Sequence, residues 1–291
     1  MPPKIAVLGA AGMLGHKMFQ RLQIAFPGTV GLQRCAASYL GIAPEVVTGV
    51  DVTDFDSLSS VLVDIHPDYI VNCVGIIKQR PEAQDPVQSI TVNALLPHRL
   101  AALAATWGGR LIHFSTDCVF SGSRGGYREE DEPDARDLYG RTKFLGEVQA
   151  PNALTLRTSI IGREIGGRRS LFEWFLAQKG GTVRGFRRAI WSGITTNHAA
   201  DLVAQIISRH AGLSGLYQVA GKAVSKYELL CLLRNAYSLD IDIVPDDIEI
   251  SDRSMTAEKL HAAIGYVPPA WPELIRELAS DSTPYESWLL Q

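Results

Sequence analysis

Tyr139 and Lys143 are four residues apart, and Ser115, Thr116 and Asp117 follow an apolar run upstream of them. Residues four apart share one face of a helix, so the lysine ammonium is expected beside the tyrosine phenol. A free tyrosine titrates near pH ~10, and lowering its pKa by ~3 units requires ~4 kcal/mol of differential interaction with a cation. The Thr116 hydroxyl at a strand end would hold a substrate oxygen beside the phenol. An isolated pair of this kind is usually an ordinary surface helix, so the neighbouring elements decide whether it is a proton-transfer site.

A glycine-rich segment near the first residue predicts a cofactor site. Residues 4–8 form a short apolar run, three glycines follow in the spacing G-x-x-G-x-x-G, and residues 13–25 have the pattern of a helix. A strand, a glycine turn and a helix in this order bind a dinucleotide pyrophosphate, because backbone N–H groups and the helix N-terminus meet the phosphates. The residues expected in this contact are Gly9, Ala11, Gly12, Met13, Leu14 and Gly15.

Length and composition agree with a large α/β core. The chain has 291 residues, 46% of them hydrophobic, and a net charge of −3. This charge predicts no nucleic-acid partner and no membrane attraction, and no apolar stretch reaches the ~18 residues that span a bilayer. The cysteines are scattered and the histidines lack ligand spacing to them. Reduced thiols, a cytoplasmic location and no metal site are therefore expected.

Strand-like and helix-like segments alternate over the first part of the chain. Predicted strands lie at 4–8, 29–32, 46–50, 69–74, 111–115, 153–158 and 216–220. Predicted helices lie at 13–25, 54–65 with Thr53 as its cap, 86–107, 138–149 and 198–210. This alternation predicts an α/β fold, a Rossmann-type doubly wound parallel sheet that binds ligands at the carboxyl ends of its strands. Further helices from Ser170, Ser225 and Pro272 predict a smaller C-terminal substrate-binding lobe.

Several longer motifs resemble one known family. S-T-D-C-V-F-S-G at 115–122, L-R-T-S at 156–159 and Y-Q-V-A-G at 217–221 accompany the glycine turn and the Y-x-x-x-K pair. Together they resemble the extended short-chain dehydrogenase/reductase superfamily, and within it the dTDP-4-dehydrorhamnose reductase-like group, over nearly the whole chain. The expected organisation is an NAD(P)-binding Rossmann domain at 1–159 and 194–220 and a substrate-binding lobe at 160–193 and 221–291.

The resemblance implies a reaction. The C4 ketone of a nucleotide-linked 4-keto-6-deoxy sugar would accept a hydride from a nicotinamide while Tyr139 gives its proton to the forming alkoxide. Lys143 would stabilise the remaining phenolate and contact the nicotinamide ribose, and Thr116 would hydrogen-bond the reacting oxygen. Extended reductases often pair through the tyrosine helix, so a homodimer is compatible with this resemblance, and the sequence leaves the oligomeric state open.

The end of the second predicted strand bears on the choice of cofactor. NAD-preferring enzymes carry an acidic residue there for the ribose 2′-hydroxyl, whereas this strand ends in Gln33 and Arg34. An arginine can clamp a 2′-phosphate through its forked donors. NADPH is therefore expected, NADH stays an alternative, and an Arg34 that simply points into water would leave the choice open. Further cofactor contacts are expected from Asp51, Val52, Asn72, Cys73, Val74 and Gly75, although a turn or capping role fits Asp51 nearly as well.

Candidate substrate contacts come from an arginine-rich stretch and from departures from the rhamnose group. Six arginines lie between residues 163 and 188, and a pyrophosphate-linked sugar needs forked cations; a basic surface facing solvent or another subunit explains them equally well. Cys118 stands where the rhamnose motif has tyrosine, and Ile160 stands where it has an aromatic residue. A different keto-sugar is therefore expected, such as an acetamido sugar on UDP or dTDP. The predicted substrate contacts are Asp117, Cys118, Arg163, Arg187, Trp191 and Arg253.

Three other functions use similar residues. A nucleotide-sugar 4-epimerase would combine the same threonine, tyrosine and lysine with tightly held NAD, but the acidic residue after the second strand is missing. A 4,6-dehydratase needs a carboxylate pair directly after the threonine, and Cys118 stands in place of the glutamate. A non-catalytic NAD(P)-binding regulatory protein would be expected to lose the catalytic tyrosine or lysine, and both are present.

Overall fold

The computed structural model describes residues 2–35, 45–167 and 169–286. Their backbone contacts form two compact units. The first comprises Met1–Thr116, Arg136–Arg157 and Ala199–Leu216, and the second comprises Asp117–Ala135, Thr158–His198 and Tyr217–Gln291. The second unit thus includes residues 117–135, which the predicted domain boundaries grouped with the cofactor domain. Which unit serves which function stays a prediction.

Strands and helices alternate along the chain. The strands are β1 (Ile5–Leu8), β2 (Val30–Leu32), β3 (Val46–Val47), β4 (Tyr69–Asn72), β5 (Arg110–Thr116), β6 (Ala153–Thr158), β7 (Ile160–Ile161), β8 (Thr182–Phe186), β9 (Ala189–Trp191), β10 (Ile194–Thr195), β11 (Gly215–Val219), β12 (Val224–Ser225), β13 (Asp242–Asp246) and β14 (Ser251–Asp252). The helices are α1 (Met13–Ala25), α2 (Phe55–Ile65), α3 (Pro86–Ser89), α4 (Leu96–Ala105), α5 (Leu138–Leu145), α6 (Leu171–Leu176), α7 (Thr196–Arg209), α8 (Lys226–Ala236), α9 (Glu258–Ile264) and α10 (Trp271–Ala279).

A seven-stranded sheet has the order β11-β6-β5-β4-β1-β2-β3. β1 pairs in parallel with both β2 and β4, and β4 pairs in parallel with β5. In β1 and β4 every residue is buried, because a parallel sheet flanked by helices is covered on both faces. The predicted Rossmann-type fold class is confirmed.

Each unit has its own apolar core. In the first, strand residues such as Leu8 and Ile70 pack with Leu58 and Leu62 of α2 and with Leu100 of α4. The second core is built from α6, α8, α10 and the short strands, and its largest members are Phe172, Phe175, Trp191 and Trp271. None of the helices in the described residues combines the length and apolar character needed to cross a membrane.

Two helix starts show how local polar bonds set the boundaries. The predicted capping box of α8 is confirmed: the Ser225 hydroxyl accepts from the Glu228 amide at 3.1 Å, and the Glu228 carboxylate accepts from the Ser225 amide at 3.0 Å. The prediction that Thr53 caps α2 is wrong. Asp54 is the cap, because Thr53 donates both its amide and its hydroxyl to Asp51.

Some predicted elements are shorter or interrupted. The helix predicted over 86–107 consists of α3, a π-helical segment at Ile90–Leu95 and α4. The helix predicted over 138–149 ends at Leu145, where Gly146 follows as its C-terminal cap. The strand predicted over 46–50 is reduced to Val46–Val47 at the sheet edge.

Candidate active site

The turn between β1 and α1 fits a dinucleotide phosphate group. Gly9 has φ +77°, and a Cβ placed on Gly15 would lie 1.9 Å from the Gly9 carbonyl oxygen. Every residue of α1 is described. Its N-cap is Gly12, which has no side chain to cap the helix, and its first turn contains no acidic residue. The first N–H groups of a helix lack intrahelical acceptors and carry partial positive charge, so they can hold an anion. The predicted contact Ala11 lies in this turn, and Met13 and Leu14 are the first two residues of α1.

The predicted adenosine-side contacts follow β2 and β3. Arg34 is exposed just after β2, and Val52 is partly exposed. Asp51 accepts from the Thr53 amide at 2.9 Å and from the Thr53 hydroxyl at 2.7 Å. These bonds, with a contribution from the Arg34 charge, hold the pKa of Asp51 below its usual value. Gln33 is 3% exposed, and its side-chain amide has no hydrogen-bond partner within the described part of the chain.

The end of β4 is fixed by a buried amide. Asn72 accepts from the Val74 amide through Oδ1 at 3.1 Å, so its Nδ2 donates to Nδ1 of His113, also at 3.1 Å. Burial, reinforced by the Lys143 charge, holds the pKa of His113 well below its usual value. The imidazole is therefore neutral and can accept this bond. The first of these bonds fixes the backbone at Val74, which lies between the other predicted cofactor contacts Cys73 and Gly75.

Asn93 ties the loop after β4 to the helix that carries the tyrosine. Its Oδ1 accepts from the Ile76 amide at 2.9 Å, and its Nδ2 donates to the Ile76 carbonyl at 3.0 Å and to the Thr142 hydroxyl at 3.3 Å. Asn93 lies in the π-helical segment. Insertions of this kind frequently occur at functional sites.

Tyr139 and Lys143 both lie on α5. Asp137 caps this helix by accepting from the Gly140 amide at 2.9 Å. The same carboxylate accepts a 2.9 Å bond from Lys78, whose Nζ lies 5.7 Å from the centroid of the Tyr139 ring. A cation from the loop after β4 therefore lies near the Tyr139 ring.

Lys143 is a buried cation. It is 5% exposed, and its Nζ donates to the Phe114 carbonyl at 2.6 Å, two residues before Thr116 ends β5. Burial lowers the pKa of Lys143 to about 8, while the charge of Glu147 acts in the opposite direction. The strand that ends in Thr116 thus holds the ammonium in place.

A buried ion pair lies next in the chain. Glu147 accepts from Nε and Nη2 of Arg157 at 2.8 and 2.7 Å, and from the Ser115 hydroxyl at 2.6 Å. The two charged side chains are 2% and 1% exposed. The bidentate geometry and the extra hydroxyl satisfy the carboxylate in an apolar environment.

Four predicted substrate contacts gather around a lysine in the second unit. Lys226, the first residue of α8, places its Nζ 3.9 Å from the centroid of the Trp191 ring. Burial lowers the pKa of Lys226 to about 8, Asp117 and Cys118 act in the opposite direction, and Arg253 adds to the lowering. We call Asp117, Cys118, Trp191, Lys226 and Arg253 the Lys226 cluster.

The other two predicted substrate contacts form ion pairs elsewhere. Arg163 is 8% exposed and donates to Glu173 at 2.7 Å and to Glu286 at 3.0 Å. Arg187 is exposed and donates to Asp247 at 2.9 Å. Of the remaining arginine-rich stretch, Arg168 lies outside the described residues.

Sequence analysis missed Lys78, Asn93, Glu147 and Lys226. The contacts of Lys78 and Asn93 join residues 59 and 17 positions apart, so no local pattern reveals them. Of these residues, only Glu147 could have been recognised from the sequence. It lies four residues after Lys143 in the helix predicted over 138–149, and residues so spaced share one helical face.

The family model described as RmlD substrate binding domain matches residues 3–283. The chain belongs to this family. A relative, the probable low-salt glycan biosynthesis reductase Agl14 of Haloferax volcanii, is 29% identical over 230 residues, which are 75% of this chain and 74% of that protein. Methionine adenosyltransferase 2 subunit beta of Pongo abelii is 28% identical over 256 residues, 81% of this chain and 72% of that protein.

A solved structure shares the fold. The dTDP-4-dehydrorhamnose reductase of Bacillus anthracis in complex with NADP superposes with a TM-score of 0.80 over 96% of this chain and 99% of that chain, at 20% identity. The family match confirms the predicted resemblance to the dTDP-4-dehydrorhamnose reductase-like group, and the solved structure confirms the predicted fold.

Proposed function

We propose that this RmlD-family chain is an NADPH-dependent reductase of the C4 ketone of a nucleotide-linked 4-keto-6-deoxy sugar. The observation that carries the proposal is Lys143, buried on the helix of Tyr139 with its ammonium bonded to the Phe114 carbonyl. Burying an ammonium is unfavourable, and an ordinary surface helix gains nothing from it. Beside a phenol that must give up its proton, a fixed cation has a direct use.

Each residue of the site has a separate role in this reaction. The glycine turn would hold the pyrophosphate of a dinucleotide whose reduced nicotinamide would supply the hydride. Tyr139 donates its phenolic proton to the ketone oxygen as it becomes an alkoxide. Thr116 donates a hydrogen bond to the same oxygen and orients it. Lys143 stabilises the phenolate by its charge and contacts the nicotinamide ribose, and Lys78 adds a second cation near the ring.

NADPH is the cofactor we favour. Neither residue that directly follows β2, Gln33 or Arg34, is a carboxylate. Asp51 uses its carboxylate on Thr53, which leaves the exposed Arg34 as the cation for a 2′-phosphate. The related Bacillus anthracis reductase was crystallised with NADP, which supports this choice. NADH remains the alternative that the assay below compares.

The substrate class follows from the relatives and from the departures in this sequence. The Bacillus anthracis protein is named for a dTDP-linked sugar, and the Haloferax relative for glycan biosynthesis. Cys118 and Ile160 stand where the rhamnose group has aromatic residues. We therefore propose a keto-sugar other than dehydrorhamnose, bound by the lobe 160–193 and 221–291, with the cofactor held by 1–159 and 194–220.

The test is NADPH oxidation by the purified protein with a panel of 4-keto-6-deoxy sugar nucleotides on UDP and dTDP. Wild type is compared with Tyr139→Phe, which removes only the phenolic hydroxyl, and NADH replaces NADPH in parallel. Turnover that requires Tyr139 and prefers NADPH supports the proposal. Turnover that Tyr139→Phe leaves unchanged contradicts the assigned proton donor.

One relative favours a second candidate function. The Pongo abelii match is a subunit of methionine adenosyltransferase, so an RmlD-family chain can serve as a subunit of another enzyme. In that case the protein would bind NADP(H) without oxidising it in the presence of any sugar in the panel. Calorimetric titration with NADP⁺ beside the turnover assay separates the two candidates.

A further inference from the structure

Lys226 places its ammonium against an aromatic ring. Its Nζ lies over the Trp191 ring, 3.9 Å from the centroid, and the side chain is half-buried. Within the described ranges 2–35, 45–167 and 169–286, no oxygen forms a hydrogen bond or ion pair with this ammonium. Charges removed from water are normally paired and hydrogen-bonded. Among the described residues this half-buried ammonium contacts an aromatic face and no oxygen acceptor, so it can bind an acceptor from outside the chain.

Trp191 provides a second, independent indication of a ligand site. The side chain is 3% exposed, and its indole N–H has no acceptor among the residues that the structure describes. The ring packs against Trp271, 5.3 Å between centroids, and a Cβ placed on Gly193 would come within 1.8 Å of a ring atom. The ring is thus fixed from two sides. It is a rigid support for the ammonium, with an unused donor of its own.

The charge around Lys226 favours an anion. Arg253 supplies a second cation, Asp117 is the carboxylate whose charge acts on Lys226, and Cys118 contributes a thiol. Arg253 is oriented by its bonds to the carbonyls of Phe120 at 3.0 Å and Ser121 at 3.1 Å. The Lys226 cluster thus has a positive net charge, which phosphate oxygens would complement and neutral sugar hydroxyls would not.

We propose that Lys226 is a substrate-binding residue that binds the diphosphate of the nucleotide-linked substrate. The inference rests on the proposed function, because that function makes the ligand a nucleotide sugar. Lys226 would supply binding energy equally before and during hydride transfer, so its loss should raise KM and leave kcat unchanged.

The experiment is calorimetric titration of UDP and dTDP into the protein saturated with NADP⁺, for wild type, Lys226→Met and Lys259→Met. Lys259 is the matched control, because it is an exposed lysine in the same unit whose Nζ lies 4.7 Å from the Tyr217 ring centroid. Lys226→Met should weaken both nucleotides about 10- to 100-fold, the range for a hydrogen bond to a charged group. Lys259→Met should not change the affinity, and uridine, which lacks phosphate, should not distinguish Lys226→Met from wild type.

The pH dependence of the same titration gives a second readout. The pKa of Lys226 in the protein without bound nucleotide is about 8. The affinity of wild type for UDP should therefore fall about tenfold between pH ~7 and pH ~9, as the lysine loses its proton. Arginine stays protonated throughout this range. Lys226→Arg should therefore bind UDP at pH ~7 and keep that affinity at pH ~9.

The outcomes separate this inference from the proposed function. Lys226-dependent UDP or dTDP binding without turnover of any keto-sugar supports the inference and contradicts the reductase. If the protein turns over a keto-sugar, but Lys226→Met binds UDP and dTDP as tightly as wild type does, the inference alone is overturned. This holds even if KM for the sugar nucleotide changes. Absence of nucleotide binding to wild type overturns the inference as well.

Discussion

Replacing Lys143 by methionine should make the protein more stable while it abolishes activity. Folding lowers the pKa of this lysine from its ordinary 10.5 to about 8. A difference of ~2.5 corresponds to ~3 kcal/mol opposing folding at neutral pH, and with 5% exposure little of it is screened by solvent. Methionine loses the bond to the Phe114 carbonyl, worth ~1 kcal/mol net. The remaining gain of ~2 kcal/mol corresponds to a Tm increase of about 4–8 °C.

The size of this stability gain depends on pH, and that dependence identifies its cause. The unfolded chain keeps the lysine proton up to pH ~10.5, whereas the folded protein loses it above about 8. Wild type therefore gains stability relative to Lys143→Met as pH rises between these values, so the advantage of the variant should shrink. Urea unfolding of both proteins at pH ~7 and pH ~10 measures this, with the exposed Lys259→Met as control. A variant less stable than wild type at pH ~7, or an advantage equal at both pH values, would refute the reasoning.

Three further changes test other parts of the site. Gly15→Ala should weaken NADPH binding at least ~10-fold, because its Cβ would displace the Gly9 carbonyl from the phosphate turn; unchanged affinity in a fluorescence titration would contradict the assigned turn. Arg34→Ala should raise KM for NADPH ~10- to 100-fold and spare NADH, and an equal loss for both cofactors would remove Arg34 from 2′-phosphate recognition. Glu147→Gln should cost about 3–5 kcal/mol in chemical unfolding by breaking the buried pair with Arg157. Because Glu147 raises the pKa of Lys143, the same change should also lower the pH above which kcat falls. A decline of kcat at the same pH as in wild type would contradict that coupling.

The sequence predicted elements whose signals are local. The helix Met13–Ala25 was predicted with the observed bounds, because a glycine turn and an apolar stripe mark both its start and its face. The capping box at Ser225 was found for the same reason. The parallel sheet followed from strand-helix alternation, since buried strands are continuous apolar runs.

Features that depend on distant partners were missed. β8 and β13 pair with each other across more than fifty residues, and each is too polar on its exposed face to be recognised alone. The π-helical segment around Asn93 occurs within an uninterrupted helical pattern. In the candidate site, the tyrosine–lysine spacing was visible, whereas the Phe114 carbonyl that holds Lys143 is 29 positions away. The ring under Lys226 likewise comes from a strand that the sequence did not reveal.

The central claim is that hydride passes to the C4 carbonyl of a nucleotide-linked sugar while Tyr139 supplies the proton. Its most direct measurement is the fate of deuterium from NADPH deuterated at the nicotinamide C4, with the sugar product analysed by mass spectrometry and proton NMR. The account predicts one deuterium at C4 of the sugar for each NADPH oxidised by wild type, and no labelled product above background with Tyr139→Phe. Deuterium at another carbon, or an epimerised sugar without net NADPH oxidation, would contradict it.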